Sequence, residues 1–188
     1  MPESPVLEIL IAEDEPDISM QYQIVLEERG HKVKITENGE DCLKAYLAAL
    51  DQKRPAASAS CDDEKSLSET SPPFDAVILD YRMPKKDGLV VAKEVLKLCP
   101  SQRVMFASAY TAETLIEAVK VLHKVVELLQ KPFDLEYFVD AVEDKALYEQ
   151  LERLNIRVRD LKDHNVTHSQ LVNLLAGVTK LQNMAMHK

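Results

Sequence analysis

AVILDYRMPKKDG, residues 76–88, carries four apolar residues into an acid at Asp80 and then leaves through a Met-Pro step and a glycine. FDAVILD (74–80) shows little alternation, as expected of a strand buried on both faces, so the charge at its end stands where the sheet stops. The same grammar repeats on either side. VLEILIA (6–12) is a short aliphatic run followed by Pro16 at a first helical turn, with Ile18, Tyr22, Val25 and Leu26 on one face and Gly30 as a stop. HKVKIT (31–36) reads as a second strand, and Asn38 caps a helix whose Leu43, Tyr46, Leu47 and Leu50 share a face. After the quoted stretch, Leu89, Ala92, Val95, Leu96 and Cys99 line a helix ended by Pro100. RVMFAS (103–108) and VVELLQ (125–130) repeat the strand pattern around a helix containing Leu115, Ala118, Val119 and Leu122, and Asp134 opens a fifth helix.

Five strands alternating with five helices imply an α/β fold, a doubly wound parallel sheet covered on both faces. Such sheets bind ligands in the crevice outside the carboxyl ends of their strands. Glu13 and Asp14 end strand one, Asp80 ends strand three, Ser108 ends strand four, and Lys131 follows strand five just before Pro132. Only the second strand ends without a candidate.

Composition narrows the rest. The chain of 188 residues has room for one ordinary domain and an appendage. It has 46% hydrophobic residues, no tryptophan and four glycines, which predicts an aliphatic core in regular secondary structure. With 23 basic against 32 acidic residues the net charge is −9, which argues against a nucleic-acid surface. Cys42, Cys61 and Cys99 are single and lack metal spacing, so inert thiols in a reducing compartment are expected. The terminus MPESPVLEILIAEDE shows neither a signal peptide nor a membrane span, and a cytoplasmic protein is the expectation.

Taken singly, each edge residue has an ordinary explanation: Asp80 a turn, Glu13 and Asp14 first-turn acids, Ser108 a capping hydroxyl, Lys131 a solvated charge. Their convergence on one crevice favours a functional site. Three crowded carboxylates repel, and a divalent cation relieves that repulsion; an oxygen-only set with room for water and phosphate suits Mg2+ better than zinc. Lys131 adds a positive charge, Ser108 a hydroxyl donor, and Asp80 a carboxylate able to attack phosphorus.

With the acidic pair Glu13-Asp14, the stretch VILDYRMPKKDG, Ser108 followed by Ala109, and the step Lys131-Pro132-Phe133, residues 6 to about 142 closely resemble the receiver domain of two-component response regulators. The resemblance implies a flavodoxin-like sheet of strand order 2-1-3-4-5, with a receiver over 1–142. It implies that Asp80 accepts a phosphoryl group from a histidine kinase, with Mg2+ held by Asp14, Asp80 and the backbone carbonyl of Arg82, and by Glu13 through water. Lys131 would contact the phosphoryl oxygens, Ser108 would swing toward them, and the peptide before Pro132 would be cis. Arg82 and Tyr110 stand where the family tunes hydrolysis. No enzymatic activity is implied beyond the domain's own phosphorylation and dephosphorylation.

Three features depart from the family. Leu128 occupies the usual place of an aromatic switch residue. Residues 51–73, rich in Ser, Ala, Pro and charge, read as a flexible surface insertion. From Asp134 a helix can run on without Gly or Pro, and Leu147, Leu151, Leu154, Val158 and Leu161 form a heptad seam, so 143–188 reads as a helical, coiled-coil extension joining a homodimer. Thr167 and Gln170 offer a capping box for a fresh helix through Leu171, Leu174, Leu175, Val178 and Leu181, with a break near 163–167; His168 is read as a polar helix-start residue rather than a phosphotransfer histidine. The extension is too short for a receiver-linked DNA-binding domain, so output by protein contact is expected.

Rival classes fail on single residues. No G-x-x-x-x-G-K-[ST] accompanies AVILD, which removes a nucleoside triphosphatase, and a haloacid-dehalogenase-like phosphatase wants a second Asp where Arg82 stands. The alternative that survives is a receiver-like scaffold dimerised permanently through its tail, with weak or no phosphorylation.

Overall fold

The computed structural model describes residues 5–53, 71–111, 115, 120–122 and 127–145. Five strands, β1 (Glu8–Ala12), β2 (Lys32–Thr36), β3 (Ala76–Leu79), β4 (Val104–Ser108) and β5 (Glu127–Gln130), form one sheet in the order β2-β1-β3-β4-β5. Every pairing is parallel, as the run of apolar strands and the family resemblance require. The central strands β1, β3 and β4 are buried almost throughout, whereas β2 alternates because it lies at an edge.

Helices α1 (Pro16–Glu28), α2 (Gly39–Lys53), α3 (Gly88–Leu98) and α4 (Leu135–Glu143) cover the two faces. One apolar layer joins α2 and α3 to the sheet through Leu10, Tyr46, Leu79, Val91, Val95 and Phe106. The other joins α1 and α4 through Ile9, Ile11, Tyr22, Leu26, Ile78 and Phe138. The helix boundaries follow local chemistry. Pro16 stands at the first turn of α1, and Gly30 takes φ +86° just beyond it, where a side chain would be strained. Asn38 Oδ1 accepts from the Asp41 N–H at 3.0 Å to cap α2, and Asp134 accepts from the Glu136 N–H at 2.8 Å to cap α4.

Several expectations need correction. Leu47 is exposed, because Leu43, Tyr46 and Leu50 already fill the stripe that α2 presents to the core. The first three residues of the expected insertion are helical, since α2 runs to Lys53. Between β4 and β5, Leu115 is helical and buried, but Leu122 lies in a 3-10 turn, Lys120–Leu122. The last helix is interrupted: it ends at Glu143, with Asp144 at φ −78° and ψ 64°, and Lys145 is again helical. The buried Arg103 guanidinium donates to the carbonyls of Ala141 and Val142, both at 2.7 Å, which are the acceptors a continuing helix would use next. Ala118 and Val119, residues 54–70, the heptad leucines, the capping box and His168 lie outside the described residues.

Cys42 and Cys99 are buried thiols, and burial pushes the Cys42 thiol up to about 12, which fits the inert reading; Cys61 is outside the described residues. Among the described residues no helix is long and apolar enough to cross a membrane.

At the end of the sheet where β1, β3 and β4 begin, Gln102 is wholly buried. It donates to the carbonyls of Phe74 at 2.9 Å and Arg103 at 3.1 Å and accepts from the Tyr46 hydroxyl at 3.2 Å. Replacing this amide strips buried groups of their partners, whereas removing the tyrosine hydroxyl loses one bond. Gln102→Leu is therefore expected to cost about 2–3 kcal/mol of unfolding free energy in urea titrations, and Tyr46→Phe about 1 kcal/mol.

Candidate functional site

The opposite end of the sheet gathers the edge residues predicted from sequence. β1 delivers Glu13 and Asp14 directly beyond its last paired residue, Ala12, and the Glu13 N–H is held by the Thr36 carbonyl of β2 at 3.0 Å. β3 delivers Asp80, whose N–H donates to the Ala12 carbonyl at 2.9 Å, so the nucleophile candidate is still fastened to β1 when it leaves the sheet. One oxygen each from Glu13, Asp14 and Asp80 lie within 4.8 Å of one another. Two carboxylate charges at that spacing repel by about 3 kcal/mol at an effective dielectric near 20, so the cluster needs a cation close by.

Lys131 supplies one. Its Nζ donates to Glu13 Oε2 at 2.6 Å and to Asp80 Oδ2 at 2.8 Å, bridging two strands. The peptide from Lys131 to Pro132 is cis, as the resemblance implied, and the Lys131 N–H donates to the Ser108 carbonyl at 2.8 Å. Burial works against the lysine's charge, but hydrogen bonds to Asp80 and Glu13 outweigh it and hold the ammonium above its ordinary range. For Glu13, only 1% exposed, burial wins over the help from Lys131 and holds the carboxyl above its ordinary value.

The exit loop explains the rest of the quoted stretch. The Arg82 N–H donates to Asp80 Oδ1 at 3.1 Å, fixing the carboxylate's second oxygen. Met83 is buried, Lys85 takes φ 66°, and the Gly88 N–H returns to the Tyr81 carbonyl at 3.0 Å. A Cβ on Gly88 would collide with the Asp80 carbonyl, so glycine is required where the loop folds back beneath the acid.

Ser108 closes the site on the β4 side, fully buried, and its hydroxyl accepts from the Tyr110 N–H at 3.3 Å. Sequence reasoning missed the aromatic walls. The Lys131 ammonium lies 6.0 Å from the ring centroid of Tyr22, which stacks on Phe138 at 4.5 Å. Tyr81 meets Phe106 and Tyr110 edge-on at 6.5 and 5.4 Å, and the Arg82 guanidinium lies 5.9 Å over the Tyr110 ring. Tyr22 was legible only as a core residue of α1, and Tyr81 carried no signal beyond its place after Asp80. Leu128, register partner of Phe106, packs against the core.

The donor set fits a hard divalent cation. Three carboxylates converge without a sulfur or nitrogen ligand, and Glu13 Oε1 is a buried oxygen with no hydrogen-bond partner. A carboxylate beside a cation and a lysine is equipped to receive a phosphoryl group.

A family model described as the response regulator receiver domain matches residues 9–143. The transcriptional regulatory protein RprY of Bacteroides fragilis (strain YCH46) is 25% identical over 138 residues, covering 73% of this chain and 48% of RprY. The DNA-binding transcriptional regulator NtrC of Azospirillum brasilense is 31% identical over 136 residues, covering 72% of this chain and 23% of NtrC. The chain thus spans less than half the length of either regulator. The solved structure of TrrA from Thermotoga maritima, in complex with Mg2+ and BeF, superposes with a TM-score of 0.53 at 25% identity, over 72% of this chain and 95% of TrrA.

Because the folded protein raises Glu13 above its ordinary value of 4.5, the native state holds that proton more tightly than the unfolded chain. The stabilisation this gives is complete below pH 4.5 and is lost as pH rises through the folded value. Urea unfolding in chelator-treated buffer should therefore show stability falling with pH above 4.5 in wild type, with that component absent in Glu13→Gln.

Proposed function

The chain belongs to the response regulator receiver family of two-component signalling, and from that premise we propose that it accepts a phosphoryl group on Asp80 from a histidine kinase and signals through protein contact. The observation that supports this most is the bridge from Lys131 Nζ to Asp80 Oδ2 at 2.8 Å, beside a buried carboxylate oxygen without a partner. An Asp80 oxygen would attack phosphorus, and the bond from phosphorus to the kinase histidine nitrogen would break with its electron pair leaving on that nitrogen. Mg2+ would be held by Asp14, Asp80 and the Arg82 carbonyl, with Glu13 acting through water, and would neutralise phosphoryl oxygens. Lys131 would neutralise a further oxygen, and the Ser108 hydroxyl would move to donate to one. These assignments give the protein no catalytic role beyond its own phosphorylation and dephosphorylation. The solved TrrA complex with Mg2+ and BeF supports the metal and phosphoryl reading by analogy.

The C-terminal segment beyond residue 145 is the proposed output. Its heptad seam through Leu147, Leu151, Leu154, Val158 and Leu161 favours a homodimer, its acidic and basic residues are nearly balanced, and the reading places the protein in the cytoplasm with neither membrane nor nucleic acid as a direct partner.

Intact mass with a small phosphodonor and Mg2+ should show one phosphoryl group gained by wild type and none by Asp80→Asn. Lys131→Met should lower the extent of labelling at least about tenfold, since it removes a charge-assisted contact to the transferring group. Light scattering on the same samples should give a dimer mass; a monomer in both states removes the dimer, and an unlabelled constant dimer favours the scaffold reading.

A further inference from the structure

Arg103 immediately precedes the strand that Ser108 ends, and it is the charged residue least expected there. It is 4% exposed, and its guanidinium is bound on two sides. Nε and Nη2 grip Glu127 at the start of β5, at 2.6 and 2.9 Å, as a two-pronged ion pair. Nη1 and Nη2 take the carbonyls of Val142 and Ala141 in the last turn of α4. In an unbroken helix those carbonyls would accept from the N–H groups of Lys145 and Ala146. The sequence from Leu135 onward holds no Gly or Pro up to Gly177, so neither helix breaker imposes the break at Asp144, after which Lys145 is again helical.

The flanks of the break are fastened as well. His31 Nδ1 accepts from the Leu7 N–H at 3.3 Å, which leaves Nε2 to donate to Glu143 Oε1 at 3.1 Å. Arg29 reaches Glu143 Oε2 at 3.4 Å, and Lys145 reaches Asp75 at 3.4 Å. The root of the C-terminal segment is therefore tied to the starts of β1, β3, β4 and β5.

We propose that the Arg103–Glu127 clamp is the device that breaks the helix at Asp144, and that its grip on the last carbonyls of α4 is how the receiver controls the C-terminal segment. The second half rests on the proposed phosphorylation of Asp80 and on the segment being the output. β4 is buried along its whole length, with Ser108 at the phosphorylation edge and Arg103 at the other. A buried guanidinium cannot drop the two carbonyls without leaving N–H donors unsatisfied, so α4 must follow the strands that hold Arg103. With the clamp intact the helix is interrupted at Asp144; with it released, α4 would continue unbroken through Asp144 to Lys145 as its sequence allows.

The test is amide hydrogen exchange at residues 144–146 in the full chain, with intact mass recorded on every sample. In Arg103→Met/Glu127→Leu the ion pair is replaced by apolar side chains, a change that folds often tolerate. Protection at 144–146 should rise by about tenfold or more over wild type, with phosphoryl uptake by mass unchanged. Unchanged protection in the folded variant overturns the clamp. In wild type, mass-confirmed phosphorylation should alter protection at the same amides; a fully labelled protein with unaltered protection overturns the control role and leaves Asp80 chemistry standing. A wild type that gains no mass overturns the phosphorylation reading and the control role with it, while the variant still decides the clamp. Should the variant fail to unfold cooperatively, Arg103→Lys, which keeps the charge but not the two-pronged grip, is read the same way.

Discussion

One lysine holds the acidic edge of this domain together. Two strands separated in sequence by about half of the domain each present a carboxylate at the same point, and a third acid stands beside them. Their mutual repulsion, about 3 kcal/mol for each close pair, would splay β1 from β3 if nothing positive lay between them. Lys131 lies within hydrogen-bond distance of both Glu13 and Asp80, and the cis peptide that follows it and the N–H bond to Ser108 fix its backbone. The wall of Tyr22, Phe133 and Phe138 stands behind it. Even so one Glu13 oxygen is left without a partner, so the charge balance of the edge is incomplete in a way a divalent cation would complete.

The opposite edge solves a different problem. There the strands begin, the neighbouring helices end, and buried polar atoms need partners. Gln102 and Arg103, adjacent in the chain, supply most of those partners. The amide ties Tyr46 and the approach to β3, and the guanidinium ties β5 and α4. The Arg103–Glu127 ion pair adds little net stability over apolar packing, since desolvation offsets the attraction, whereas removing Gln102 strands the buried groups it binds. What they add is a defined geometry at the points where chain enters and leaves.

Much of this architecture is legible in the amino-acid sequence. The strands announce themselves as apolar runs, and the four that end in or beside a polar residue place Glu13, Asp14, Asp80, Ser108 and Lys131 on one edge, because a parallel sheet aligns the ends of its strands. Pro16, Asn38 and Asp134 mark helix starts through local hydrogen-bond chemistry. The rest is not written locally. Arg103 reads as a polar lead-in to an apolar strand until partners 24 to 39 residues away are known. The close approach of Gly39 to the Lys86 carbonyl, and the rings of Tyr81 and Tyr110 meeting edge-on, likewise depend on two segments arriving together. Helical periodicity names Leu47 as a core residue, yet the stripe is already full, and periodicity alone does not say how wide a buried stripe will be.

The two places where this chain departs most from a bare receiver both open on the same side of the sheet. Lys53, where α2 ends, reaches the Pro72 carbonyl and Glu8; Asp75 binds the Glu8 N–H and Lys145. These residues gather at the end of the sheet where β1 and β3 start, a strand length from Asp80. Variation in length or composition can thus accumulate at one pole while the acidic pole keeps its arrangement. In evolutionary terms the domain is a socket: its chemistry is held at one end, and new sequence can be spliced in at the other without displacing the residues of the site.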